Sequence, residues 1–275
     1  MTVTKAIIPV AGWGTRMLPI TKAIEKCMLP IGTRPIVDYI VQDCIAAGIT
    51  DIYFVVGEQS TQIQNYYRSN IQLNDYLKRQ GKADKLALVA PTKGVSFHFI
   101  VQPGQGKYGT AVPVGLASEY VDEGESVVVL MGDDFVYNTD GTNEVRRLID
   151  AATEAGGAAM LGVSVPREAV SKYGVLQLDE AGLYQRIVEK PSVDEAPSNL
   201  INISKYVLPK AVVDSAVSIP ANPIRGEYEI TDVINNYVAD GGQVKVVEAR
   251  GQYLDGGSVE GLVHANNVVL ASVVK

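Results

Sequence analysis

The stretch KAIIPVAGWGTRMLPITKAIEKCMLP, Lys5 to Pro30, decides how the rest of the chain is read. It opens with a short apolar run, Lys5 to Val10, of the kind that makes a buried strand. Gly12 and Gly14 follow at once, then three cations, Arg16, Lys22 and Lys26, punctuated by Pro19 and Pro30. Glycine lets backbone N–H groups face an anion with no Cβ in the way. The cations make a negatively charged ligand the natural occupant. Taken alone, Gly-x-Gly fits a plain strand-to-helix turn as well as a phosphate cradle. Two familiar loops are excluded. A Walker A loop needs Gly-Lys-Ser/Thr, and Gly14-Thr15-Arg16 does not supply it; a dinucleotide fingerprint needs glycine where Met17 stands.

Outward from this loop, short apolar runs alternate with amphipathic ones. Strands are expected at 51–56, 96–102, 126–134 and 158–165, and helices at 35–47, 59–69, 74–82, 110–121 (broken early by Pro113) and 143–156. Strand-then-helix repetition predicts an α/β fold, a mainly parallel sheet with helices on both faces. Ligands of such sheets bind at the carboxyl ends of strands, where the glycine loop and Gly132-Asp133-Asp134 both fall. Beyond Val165 the pattern changes. Residues 173–191 predict two strands joined by the turn Asp179-Glu180-Ala181-Gly182, and 202–209 a further strand. A helix follows over 229–242, two short strands lie within 244–257, and a last helix begins at Ser258. The chain reads as one domain, 1–275, with two functional halves, 1–165 and 166–275, the second ending in the C-terminal helix.

Composition narrows the function. Of 275 residues 47% are hydrophobic and 20% charged, an ordinary globular balance. A net charge of −7 argues against a nucleic-acid partner, so cations gathered at one loop point to a small anion. Two cysteines, Cys27 and Cys44, make neither a disulfide framework nor a zinc quartet and suit a reducing cytoplasm. No apolar run approaches the roughly 18 residues that span a bilayer, and no signal peptide precedes the first strand.

The series AGWGTRMLPITKAIEKCMLP, IAAGITDIYFVV, EKP, APSNL, YVL, EITD and LDGG resembles the sugar-phosphate nucleotidyltransferase family, and in particular its bacterial UTP–glucose-1-phosphate uridylyltransferase branch. The resemblance covers nearly the whole chain. It implies a Rossmann-like three-layer α/β sandwich on a mainly parallel, mixed sheet, with 1–165 the nucleotide-binding half and 166–275 the sugar-binding half and C-terminal helix. It also implies Mg²⁺-dependent reaction of UTP with glucose 1-phosphate, giving UDP-glucose and pyrophosphate by in-line attack on the α-phosphorus. Such chemistry rests on positioning and charge neutralisation and needs no nucleophilic side chain. Family members form homodimers or homotetramers.

The resemblance also implies roles. Ala11, Gly12, Gly14 and Thr15 hold the nucleotide; Arg16 clamps the leaving phosphates; Lys26 lies over the α-phosphate. Asp133 and Asp255 bind Mg²⁺, with Asp134 beside them. Gln102 and Gly109 read the base, since a glutamine amide offers one donor and one acceptor to uracil's edge. Gly174, Glu189 and Asn202 hold the sugar, and Lys190 neutralises its phosphate. Departures from the family pattern stand at Tyr108 and Thr110, near Asn202 and Ser204, and at Glu25, where an acid beside Lys26 is expected to pair with it or to face water. Cys27 reads as a small buried residue, His98 as sheet packing, His264 as helix surface, and Tyr66 and Tyr67 as helix packing. Three alternatives stay open: another pair such as dTTP or a different sugar 1-phosphate, a catalytically silent relative, and, more remotely, an NAD-dependent dehydrogenase.

Overall fold

The computed structural model describes residues 2–273. In chain order the elements are β1 (Thr2–Pro9), β2 (Pro30–Ile31), β3 (Arg34–Pro35), α1 (Ile36–Ala46), β4 (Asp51–Gly57), α2 (Gln62–Tyr67), α3 (Ile71–Arg79), β5 (Ser96–Gln102), α4 (Ala111–Leu116), β6 (Glu125–Leu130) and β7 (Asp134–Tyr137). They continue with α5 (Glu144–Ala155), β8 (Ala158–Ser164), β9 (Gly174–Leu178), β10 (Tyr184–Glu189), β11 (Leu200–Pro209), α6 (Lys210–Ser218), α7 (Ile230–Ala239), β12 (Val244–Glu248), β13 (Gln252–Asp255) and α8 (Val259–Val273).

The main sheet has the order β10-β9-β11-β6-β1-β4-β5, with β8 and then β12 joining at β11. Its first half is parallel: β1 lies between β4 and β6, and β5 extends β4 with Gln102 opposite Gly57. Its second half turns antiparallel about β11, which pairs with β6, β8 and β9. The sheet is therefore mixed, as expected. Alternate side chains explain the three layers. From β1, Ala6 and Ile8 enter one core with α1, α5 and α8, whereas Ile7 enters the other with α4, α6 and α7. β6 divides the same way, Val128 and Leu130 against Val127 and Val129. Strands buried on both faces must read as unbroken apolar runs, which is why VVVL carries no polar residue. Each such side chain contributes about 1.5–3 kcal/mol by leaving water.

Three local expectations change. Pro113 does not break α4; it is the helix's third residue, inside the first turn, where an N–H has no intrahelical acceptor to lose. The strand expected over 126–134 stops at Leu130, and Asp134 opens a separate strand, β7, which pairs with β13 in a second sheet. Helix α6 has no counterpart in the sequence reading. Its buried Val212, Val213 and Ala216 do follow helical spacing.

Candidate active site

The parallel pairing of β1 and β6 brings their carboxyl ends side by side, and a cleft of about 510 Å³ opens there. The loop after β1 forms one wall. Gly14 is left-handed, φ 62°, and a Cβ on it would lie 2.9 Å from Thr21 Cγ2. At Gly12, by contrast, a Cβ would meet no atom within 4 Å, so this residue leaves open space over the cleft. Ala11, Thr15 and Arg16 line the same wall, with Arg16 exposed in the single turn Thr15–Met17.

The facing wall carries the carboxylates. β7 and β13 run antiparallel with Asp255 opposite Asp134, and the Gly256 N–H donates to the Asp133 carbonyl at 2.9 Å. Asp133, Asp134 and Asp255 thus share one corner of the cleft. Lys26 reaches into that corner and donates from Nζ to Asp133 Oδ2. Gly257 makes the room: a Cβ there would lie 2.8 Å from Lys26 Nζ and 2.7 Å from Asp255 Oδ1. Behind the corner stands Lys205, whose Nζ donates to the Asp134 carbonyl at 3.0 Å and to its Oδ1 at 2.5 Å. Tyr253 Oη donates to the other carboxylate oxygen at 2.8 Å. Burial pushes the Asp134 carboxyl up to about 6, against the pull of Lys205. Lys205 enters through a bulge in β11, where Ser204 takes a left-handed φ of 52°. Neither Lys205 nor Tyr253 is among the residues expected from sequence. A lysine inside the apolar strand NISKYVLP was the available signal, since charge is rarely buried unpaired.

Toward the far end, Gln102 closes β5 at 8% exposure and lines the cleft. Its amide has no protein partner among the described residues and opens to the cleft, so no buried polar atom is stranded. Gly109 has φ 132°, and a Cβ on it would fall 2.3 Å from the Tyr228 carbonyl oxygen. Its close approach is to that backbone, which also bonds Tyr108 and Ala111. Thr110 Oγ1 accepts the Ile230 N–H at 3.0 Å.

Asn202 lines the cleft, with Tyr173, Lys172 and Glu227 beside it, three residues not anticipated. Gly174, Glu189 and Lys190 gather nearby but outside the cleft lining. Gly174 pairs with Glu189 across β9 and β10, Glu189 meets Arg225 at 3.0 Å, and the exposed Lys190 donates its N–H to the Tyr173 carbonyl.

Glu25 neither pairs with Lys26 nor faces water. Its Oε1 accepts the N–H groups of Thr61 and Gln62 at 3.1 and 2.8 Å, and Ser60 Oγ donates to Oε2 at 2.7 Å. The Gln62 amide answers by accepting the Glu25 N–H and donating to the Ala23 carbonyl, both at 2.9 Å. Cys27 is buried, and burial holds its thiol well above its ordinary value, so it is no nucleophile. His98 stacks on Tyr53 and meets Asp51 at 2.9 Å. His264 Nε2 on α8 lies 3.1 Å from Gln252 Nε2 on β13, and Tyr67 stacks on Phe97.

Comparison with known proteins gives the family and agrees with the fold. The nucleotidyl transferase family model matches residues 5–272. The chain is 39% identical over 239 residues to a protein of Methanocaldococcus jannaschii, covering 85% of this chain and 81% of that one. It is 36% identical over 240 residues to the UTP–glucose-1-phosphate uridylyltransferase of Streptococcus pneumoniae serotype 4, covering 85% and 79%. A UTP-bound UGPase from Acinetobacter baumannii superposes with a TM-score of 0.88 at 31% identity, covering 98% of this chain and 93% of that one. A UDP-glucose pyrophosphorylase complexed with UDP-glucose does so with a TM-score of 0.83 at 27% identity, covering 98% and 100%. The chain belongs to the nucleotidyl transferase family.

Proposed function

We propose that the protein transfers the uridylyl group of UTP to glucose 1-phosphate, giving UDP-glucose and pyrophosphate. The observation that carries this reading is the meeting, in one cleft, of a glycine loop, Arg16 and Lys26 with the paired carboxylates Asp133 and Asp255. The likeness to a uridylyltransferase and to structures bound to UTP and UDP-glucose supports the substrate pair.

In this reading the triphosphate lies over Gly12 and Gly14, whose backbone N–H groups receive it. The planar Arg16 guanidinium clamps the β- and γ-phosphates, where charge grows as pyrophosphate leaves. Lys26 neutralises the α-phosphate, and Gln102 reads the uracil edge. The sugar sits toward Asn202. Lys190, with Glu189 and Gly174, belongs to this half and acts on the sugar phosphate.

The donor set fits a hard octahedral cation shared with substrate. Asp133 and Asp255 would hold Mg²⁺ together with phosphate oxygens and water, since among the described residues no group of three acidic, histidine or cysteine side chains is placed to hold a metal ion by itself. When bound, Mg²⁺ offsets phosphate charge as a Lewis acid. Asp134 and Lys205 hold the corner that presents these carboxylates.

The same reading makes the protein a cytoplasmic homodimer or homotetramer. Among the described residues no helix is long and apolar enough to cross a membrane. Exposed Val259, Val263 and Leu270 on α8 give a subunit contact an apolar face; light scattering would return a single-chain mass if that is wrong.

The test is pyrophosphate release with Mg²⁺, each nucleoside triphosphate and a panel of sugar 1-phosphates. Release with UTP and glucose 1-phosphate is expected. Release with another pair would keep the chemistry and move the specificity to Tyr108, Thr110 and Asn202. No release from folded protein would mark a silent relative.

A further inference from the structure

Trp13 stands at the centre of Gly12-Trp13-Gly14 and is the chain's only tryptophan. Its side chain is 66% exposed, yet it lines the cleft. A single exposed aromatic on a protein surface calls for no explanation. This one has a particular neighbourhood. A Cβ built on Gly104 would lie 4.0 Å from Trp13 Cζ2, so the indole bridges from the phosphate-facing loop to the loop just after Gln102. Trp13 and the unpartnered Gln102 amide line the same cleft. Tyr108, 48% exposed, lines the same cleft next to Gly109. An amide supplies edge recognition but little contact area. An aromatic face supplies area and is indifferent to which base covers it, because every base has a π-face.

We infer that Trp13 is the base-stacking residue of this cleft: its indole covers the face of the nucleobase while Gln102 reads its edge, and Tyr108 closes the same end. The inference rests on the functional reading above and adds a residue and a division of labour to it. Trp13 supplies affinity, Gln102 discrimination. Replacing Trp13 weakens all nucleotides alike and leaves their ranking unchanged.

The lone tryptophan reports on itself. The experiment titrates the full chain with UTP, UMP and inorganic tripolyphosphate, following tryptophan emission, and measures turnover of the same sample. UTP and UMP are expected to quench emission about twofold and saturably, with tripolyphosphate leaving it unmoved. Trp13→Leu is expected to raise KM for UTP about tenfold, the order that one base–aromatic stack supplies. Its kcat should stay within about twofold, and its ratio of UTP to dTTP use should not change. Trp13→Phe, which keeps an aromatic face, should stay within about threefold of the wild-type KM. The inference is overturned if an active enzyme shows no emission change at saturating UTP. Equal quenching by tripolyphosphate, or an unchanged KM in Trp13→Leu, overturns it as well. Failure of the functional reading has a different signature, UMP quenching without pyrophosphate release from UTP and any sugar 1-phosphate.

Discussion

Gly12 and Gly14 look alike in the sequence and differ in what surrounds them. A Cβ at Gly12 meets nothing within 4 Å, while at Gly14 the positive φ and Thr21 both oppose one. Gly12→Ala should therefore melt within a degree or so of wild type and raise KM for UTP about tenfold or more, because the methyl intrudes where phosphate approaches. Gly14→Ala should lose about 1–3 kcal/mol of stability, the usual cost of a side chain in strained backbone. Thermal melts and steady-state kinetics separate the two. Lys205 tells a similar story from inside. Its ammonium and the Asp134 carboxylate are both nearly buried. Lys205→Met should cost about 3–5 kcal/mol in urea unfolding, as expected when half of a buried ion pair is left behind. An unchanged midpoint would show the pair to be dispensable. The glycine loop, Lys26, Asp133 and Asp255 were legible because each sits beside a strand end or in a motif. Lys205 and Tyr253 were not, because their role depends on a bulge in β11 and on β13 lying against β7.

The latch between Glu25 and the start of α2 belongs to the scale of elements. It joins the glycine-rich loop after β1 to the β4–α2 connection through five hydrogen bonds, all between Ala23 or Glu25 and residues 60–62. From sequence, Glu25 was expected to pair with Lys26 or to face water; its carboxylate instead accepts from Ser60 Oγ and from the N–H groups of Thr61 and Gln62. Proline in place of Glu25 would undo the latch. Its φ of −58° suits proline, but the change removes the N–H that Gln62 accepts and the carboxylate cap together. Glu25→Pro should lower stability by about 1–3 kcal/mol and raise KM for UTP, and a variant of wild-type stability would refute the latch. Elements with strong periodicity, such as β5 and α5, appear where the pattern put them. Helix α6 escaped because it follows β11 at Pro209 with no intervening turn residues.

For the whole molecule, alternation of strand and helix was sufficient to predict a sheet with helices on both faces, whereas its mixed character came from the family resemblance and shows in the antiparallel pairs of β9, β10 and β11. How the β9–β10 hairpin sits against the cleft was not legible. That is why Gly174, Glu189 and Lys190, expected at the sugar, lie outside the lining while Tyr173 and Lys172 lie within it. The fold also contains a pH-sensitive point away from the site. Burial pushes the Asp43 carboxyl on α1 up to about 7, with Lys205 and Arg34 opposing and Glu144 reinforcing the shift. An unfolded aspartate titrates near 3.9. Between about pH 4 and 7 the native state therefore holds more protons, and stability falls as pH rises through that window. Asp43→Asn should leave the melting temperature near wild type at pH 4 and raise it relative to wild type at pH 8. A difference independent of pH would contradict this.

In the proposed function, uridylyl transfer takes place at the corner formed by Lys26, Asp133 and Asp255. Its most direct test is turnover of UTP and glucose 1-phosphate by wild type and Asp133→Asn side by side, with thermal melts of both. The wild type should make UDP-glucose, and the variant should lose about 100-fold or more in kcat, the scale on which preorganised charge acts, with its melting temperature little changed. Full Mg²⁺-dependent turnover by folded Asp133→Asn would contradict it.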